Sequence, residues 1–203
     1  MTAPGFLFVG NLPWLDLVNT EPVRDGQRVD LLGGPDDLIR WLEQAGLLLP
    51  DGPRPAVTRR GHSAAGHSAF REALALRAAL RAGAERLSAG RTAGDGMVRA
   101  INRVLASRPA RARLVRTGNG YRTRLEPVSS SPLHLLVPVA ESAAWLLEHG
   151  DPTLVRRCEG NQCVLFFYDT TRNRSRRWCS MEGCGSRAKA VAYYRRSRGQ
   201  AGS

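Results

Sequence analysis

A single lysine, an aromatic share of only 6%, and no apolar run near the length of a membrane span are the first absences in these 203 residues. A spanning helix needs roughly 18 uninterrupted apolar residues, so a helical membrane protein is excluded. The opening MTAPGFLFVGNLPW has no basic start and no long apolar core, and an acid follows at Asp16. No secretory signal is read there, and a cytoplasmic setting that keeps thiols reduced is expected. Phosphate-binding glycine loops and nucleophile motifs are also missing, so an enzyme is not expected. The histidines His62, His67, His134 and His149 are scattered and read as solvated or core side chains. A hydrophobic share of 42% is ordinary for a packed core, and the length allows one medium domain with an appendage, or two domains.

Cysteine is scarce as well, and its placement is informative. All four lie between Cys158 and Cys184, in the symmetrical order Cys158-EGNQ-Cys163, fifteen residues, Cys179-SMEG-Cys184. Two short cysteine loops at that separation are a metal pattern, most simply one zinc ion. Four soft thiolates close a tetrahedral shell with no open position, which marks a structural rather than a catalytic ion. Two disulfides, or four unrelated buried thiols, are the alternatives.

Positive charge is abundant and unevenly placed. The formal net charge is +12. Between Arg156 and Arg198 eleven basic residues stand against Glu159, Asp169 and Glu182, and four zinc-bound thiolates would still leave this segment strongly basic. Such a segment suits a polyanion; a solvated arginine-rich surface is the plainer alternative.

Ahead of it the patterning predicts a mainly helical body over 1–151. Phe6 to Val9 reads as extended, and Trp14, Leu15, Leu17 and Val18 as an early helix or buried turn. Gly34-Pro35-Asp36-Asp37 opens a helix with Leu38, Trp41, Leu42 and Ala45 on one face and Gly46 as its cap. Asp51 to Pro55 reads as a loop. Phe70, Ala73, Leu74, Leu76, Leu80 and Leu87 predict a long helix from about Ala64 to Ser88, with arginines on the outer face. A further helix is expected after Asp95 as N-cap, burying Val98, Ile101 and Leu105. Gly118-Asn119-Gly120 between Leu114-Val115 and Tyr121-Thr123-Leu125 signals a β-hairpin. Ser129 to Ser131 read as a loop before a helix through Leu147, with Pro138 in its first turn, and Gly150-Asp151-Pro152 is the domain boundary. Asn19-Thr20-Glu21 and Asp25-Gly26 read as turn residues.

Residues 152–203 form the second unit. The first cysteine loop runs into the apolar strand Val164 to Tyr168, Asp169 to Ser175 form a turn, and Arg176-Arg177-Trp178 bring the chain back to Cys179. Cys184 then opens a helix through about Arg198. This is the layout of a small treble-clef-like finger, with Leu165, Phe167, Trp178, Val191 and Tyr194 as its expected core. So small a core leaves folding to the metal, and removing the metal is expected to unfold this unit while the body stays folded.

CEGNQCVLFFYDTTRNRSRRWCSMEGCGSRAKAVAYYRR resembles the CGNR zinc-finger family, and WLDLVNTEPVRDGQRVDLLGGPDDLIRWLEQAGLL is similar to the opening of the ABATE domain that precedes that finger. The resemblance implies a bacterial, stress-responsive transcription regulator whose finger binds DNA. It makes Cys158, Cys163, Cys179 and Cys184 the ligands of one zinc ion and places Arg176, Arg177, Arg187 and Lys189 in the basic signature. It also leaves a small-ligand role open for the Asn19-Thr20-Glu21 turn. The naming motif departs at Ser186, where the family has asparagine; serine is expected to accept a capping bond from a backbone amide.

The arginines stand on their own chemistry too. Arg172, Arg174, Arg176, Arg177, Arg187, Lys189, Arg195 and Arg196 are the candidate nucleic-acid contacts, because guanidinium groups bind phosphate bidentately. The expectation is therefore a zinc-dependent, DNA-binding regulator of the nucleoid whose helical domain senses a signal or dimerises. An RNA-binding or protein-interaction module braced by the finger is the alternative.

Overall fold

The computed structural model describes residues 5–48, 63–108, 110–118, 120–127 and 131–200. The expected loop at Asp51 to Pro55, together with His62, Asn119, Ser129 and Ser130, lies outside the described residues.

The fold is mainly helical. Helix α1 (Pro13–Val18) starts on a proline, whose missing N–H costs nothing at that position, and it is buried from Trp14 to Val18. A minimal hairpin follows, β1 (Val23–Arg24) and β2 (Gln27–Arg28), turned by Asp25 and Gly26 at positive φ. Helix α2 (Pro35–Gln44) ends at Gly46 in the left-handed region, where the amides of Gly46 and Leu47 close back on Glu43 and Leu42. Helix α3 (Ala64–Ser88) is capped by the Ser63 hydroxyl, which accepts from the Gly66 amide at 3.1 Å. It is the central column of the body. Helix α4 (Asp95–Leu105) packs on it so closely that a Cβ at Gly83 would sit 2.0 Å from the Met97 sulfur. Strands β3 (Ala110–Thr117) and β4 (Gly120–Pro127) form the expected ribbon, with Thr117 paired to Gly120. A 3-10 turn at Pro132–Leu136 leads into α5 (Val137–His149), where Pro138 falls in the first turn. No helix among the described residues is long and apolar enough to cross a membrane.

Two expectations about faces are corrected, and the stretch read as extended, Phe6 to Val9, takes no part in a sheet. Helix α4 is capped by Gly94 rather than Asp95, and it buries Met97, Ile101 and Val104 while Val98 is exposed and Leu105 only partly covered. The arginines of α3 do not all face out, since Arg77 and Arg81 are buried. Arg77 grips Asp30 with both terminal nitrogens, at 2.7 and 2.6 Å, and donates to the Thr20 hydroxyl at 2.9 Å. Arg81 donates to Glu21 at 2.9 Å and to the Val18 carbonyl. Burial raises the Asp30 carboxyl, but the Arg77 bonds and the Leu32 amide outweigh it and hold the group below the ordinary range. A buried guanidinium is tolerable only with such partners, and the segment after α1 supplies them.

Two cores meet at one strand. Strand β5 (Val155–Arg157) pairs antiparallel with β6 (Phe166–Tyr168), Val155 opposite Tyr168 and Arg157 opposite Phe166. Successive side chains of a strand point to opposite faces, so Phe166 enters the large helical core with Val155 while Phe167 enters the small core around the cysteines. The small core also takes in Leu7 and Val9 from the start of the described chain.

Candidate metal centre

The first cysteine loop is the turn of the β5–β6 hairpin. The return stretch Arg176-Arg177-Trp178 does not pair with β6, whose partner is β5, and the turn before it is shaped by Asp169. Its buried carboxylate accepts the amides of Thr171 at 3.0 Å and Arg176 at 2.9 Å and the Thr171 hydroxyl at 2.6 Å, which curls the turn on itself. Burial raises the Asp169 carboxyl, and these bonds hold it below its ordinary value. The returning chain instead meets the first loop, where the Glu159 amide donates to the Arg177 carbonyl at 2.9 Å. Cys158 and Cys163 thereby face Cys179 and Cys184.

The last loop is built by serine. Ser180 accepts the Gly183 amide at 3.1 Å and opens a π-turn over Met181–Gly185 that carries Cys184 to the head of α6 (Ser186–Gln200). Ser186 was expected to accept from a backbone amide; its hydroxyl donates instead, to the Met181 carbonyl at 2.9 Å. The Ser186 amide also donates to that carbonyl, so both donors of one residue close the π-turn.

All four sulfurs lie within 4.8 Å of one another, with Cys163 and Cys179 at 3.9 Å and Cys179 and Cys184 at 3.7 Å. These separations rule out disulfides between those pairs, which need about 2.0 Å. They fit a tetrahedron about one ion, because zinc–sulfur bonds of about 2.3 Å give sulfur–sulfur edges of about 3.8 Å. Electrostatics agree. Cys158 is pushed down to about 2, first by hydrogen bonds from the Cys163 and Cys179 thiols, with help from the Cys179 and Gly160 amides, while Cys163 is pushed up to about 12 by its bond to Cys158 and by burial. Cys179 is pushed up too, first by its bonds to Cys158 and Cys163 and then by burial. Among the thiols alone the charge on Cys158 is favoured and those on Cys163 and Cys179 are resisted. Only a cation lets all four ionise together.

Around the sulfurs the backbone is close. A Cβ at Gly160 would stand 2.7 Å from the Cys184 sulfur and 2.9 Å from its Cβ. We expect Gly160→Ala to weaken metal affinity about tenfold or more, the cost seen when a ligand's support is disturbed, measured by competition with a chromogenic chelator. An affinity within twofold of the parent protein would contradict this packing. Nothing in the sequence distinguishes Gly160 from the chain's other glycines, so only the fold reveals its position.

The candidate nucleic-acid contacts separate into groups. Arg176 is half-buried; its guanidinium donates to the carbonyls of Val9 at 2.9 Å, Trp178 at 3.0 Å and Cys179, and lies 4.2 Å from the centre of the Phe167 ring. Arg187 donates to the Cys184 sulfur at 3.3 Å. Arg177 pairs with Glu159 at 2.6 Å and lies over Trp178. Arg174, at positive φ, reaches Asp151 at 3.3 Å. Arg172, Lys189 and Arg195 are exposed, and the Arg196 side chain lies outside those described. The expected finger core holds for Leu165 and Phe167 and, partly buried, for Trp178, but not for Val191 and Tyr194, which are 51% and 67% exposed. Helix α6 stands out from the finger instead of folding back, so its apolar residues meet no core.

Sequence reasoning missed the joint between finger and body. Asn19, in the turn after α1, is fully buried and holds both backbone groups of Phe166, donating to its carbonyl at 2.8 Å and accepting its amide at 2.9 Å. The Tyr168 amide donates to the Gly10 carbonyl at 2.8 Å, and the Gly10 amide donates to Asp16 at 2.7 Å. Burial pushes the Asp16 carboxyl up to about 6 against the Gly10 and Val9 amides and the nearby Arg176 charge. Two polar residues in an otherwise apolar stretch, Asp16 within α1 and Asn19 just after it, were the available signal.

Comparison with known families gives two matches. Residues 11–150 match the ABATE family, described as "Putative stress-induced transcription regulator", and residues 155–197 match the CGNR zinc finger. Neither is a family of enzymes. No curated protein matches the chain. The first match covers more than half of the sequence, and the chain therefore belongs to the ABATE family, with a CGNR zinc finger behind its helical domain.

Proposed function

We propose that the protein is a zinc-dependent, DNA-binding transcription regulator that responds to stress, working in the cytoplasm and at the nucleoid when bound. Cys158, Cys163, Cys179 and Cys184 hold one zinc ion, whose closed thiolate shell supplies structure and no catalysis. The observation that carries the reading is the placement of α6: it leaves the four-thiol cage as a helix exposed over Arg187, Lys189 and Arg195. A helix of that kind fits a major groove, and arginines on the preceding turn can reach flanking phosphates. The helical domain senses the signal or dimerises.

Because Arg176 and Arg187 serve the joint and the cage, the test uses the exposed residues. Labelled duplex DNA and single-stranded RNA are titrated with zinc-loaded protein at several salt concentrations, alongside an Arg172→Ala, Lys189→Ala, Arg195→Ala variant. DNA affinity should fall more than tenfold, and the log–log salt slope should flatten by up to about 0.9 for each phosphate that is no longer neutralised. Equal DNA affinity in parent and variant would sink the reading. Tyr193 and Tyr194, exposed on the same helix, favour stacking with unpaired bases, so a preference for single-stranded RNA would move the assignment to an RNA-binding module.

A further inference from the structure

Two segments together carry as much net positive charge as the whole chain, +12. Residues 156–198 hold eleven basic and three acidic side chains, and the β3–β4 segment, 110–127, holds five arginines and Glu126. The remaining residues carry fourteen basic and fourteen acidic side chains, a balance of zero. The ribbon is thus a strongly basic segment outside the finger, as is the stretch 52–71, which holds four arginines and no acid.

Its form is as distinctive as its charge. No other element packs extensively on it among the described residues, and it is exposed along 113–118 and 120–123 apart from the half-covered Val115. Register puts Arg113 opposite Arg124 and Val115 opposite Arg122, so Arg113 and Arg122 share one face, while Leu114, Arg116, Tyr121 and Thr123 share the other. Leu114 and Tyr121 are 65% and 70% exposed. A two-stranded ribbon without a core is marginal in water, and one with exposed Arg113, Arg116 and Arg122 beside exposed Leu114 and Tyr121 suits a polyanion.

We infer that the β3–β4 ribbon is a second DNA-binding arm, which lays its Arg113–Arg122 face into the major groove of duplex DNA. Two strands about 4.8 Å apart, with their side chains, fit a groove about 12 Å wide. Eight residues at about 3.4 Å each extend for about 27 Å, long enough to follow the groove. The deep, narrow major groove of A-form RNA does not admit such an arm. The assignment rests on the DNA-binding reading of the finger and adds a separate point of attachment on a different element.

Full-length, zinc-loaded protein is titrated against a random-sequence DNA duplex and an RNA duplex of matching sequence across a salt series. An Arg113→Ala, Arg122→Ala variant should bind DNA about tenfold more weakly, with its log–log slope flatter by about 1.8, while Arg113→Lys, Arg122→Lys keeps the slope. A finger variant, Lys189→Ala, Arg195→Ala, should lose affinity separately and additively. An unchanged slope in the arm variant beside a flattened one in the finger variant would overturn the arm and leave the finger reading standing. The reverse pattern would support the arm and overturn the finger reading. Equal losses on DNA and RNA duplexes would overturn docking in the major groove, and a parent protein that binds neither duplex would overturn both assignments.

Discussion

Removing zinc with a strong chelator is expected to unfold the finger and to loosen the helical body with it. Ligand binding of this kind supplies on the order of 10 kcal/mol to a small metal-folded unit, more than the finger's few apolar side chains can replace. The finger is also not a separate bead. Phe166 and Val155 belong to the body's core, Leu7 and Val9 to the finger's, and Arg176 ties the Val9 carbonyl to the cysteine loop. Losing the four-thiol cage frees β6, and a freed β6 withdraws Phe166 from α1. Near-UV circular dichroism should change on chelation, one zinc should be released per chain, and hydrogen exchange should quicken in α1 as well as in residues 155–168. Unchanged near-UV signal and protease resistance after complete metal removal would sink the prediction. Loss confined to the finger would restore the simpler expectation of two independent units.

Asn19→Ala tests the joint directly. The side chain is wholly buried and satisfies both the amide and the carbonyl of Phe166. Alanine leaves two backbone groups unpaired in an apolar setting, at about 1 to 3 kcal/mol each, so the loss should be about 3 to 5 kcal/mol. For a chain of this size that corresponds to a fall of about 10 °C or more in Tm. Asn19→Asp keeps the acceptor but sets a carboxylate against the Phe166 carbonyl, and it should be at least as harmful at neutral pH. Zinc affinity should fall in both variants, because the strand that enters the first cysteine loop loses its anchor. Urea unfolding and chelator competition read the two effects, and a stability change under 1 kcal/mol would mean that Asn19 is not what joins the parts.

How much of this was legible beforehand differs by element. Proline and two acids at the head of α2 and glycine after it act over a few residues, and the apolar spacing of α3 runs its whole length, so those helices were read nearly to their ends. The Gly118-Asn119-Gly120 turn placed the ribbon in the same way. Spacing alone brought the four cysteines together as a metal pattern, and the cage has the dimensions expected of it. The faces of α3 and α4 were another matter. Periodicity says which side chains share a side but not what that side meets, so Arg77 looked solvent-facing until Asp30 and Glu21 arrived beside it.

The sequence by itself determined the helix and turn positions, the family and the four-cysteine spacing, because each of these is written in neighbouring residues. Tertiary structure alone decided that Phe166 and Phe167 serve different cores, that Asn19 holds a strand 147 residues away, that Arg176 is an internal tie, and that Gly160 lies under Cys184. Each of those depends on two distant segments meeting. Local rules cannot specify such a meeting, since its free energy comes from burying apolar surface and pairing polar groups that chain order does not bring together.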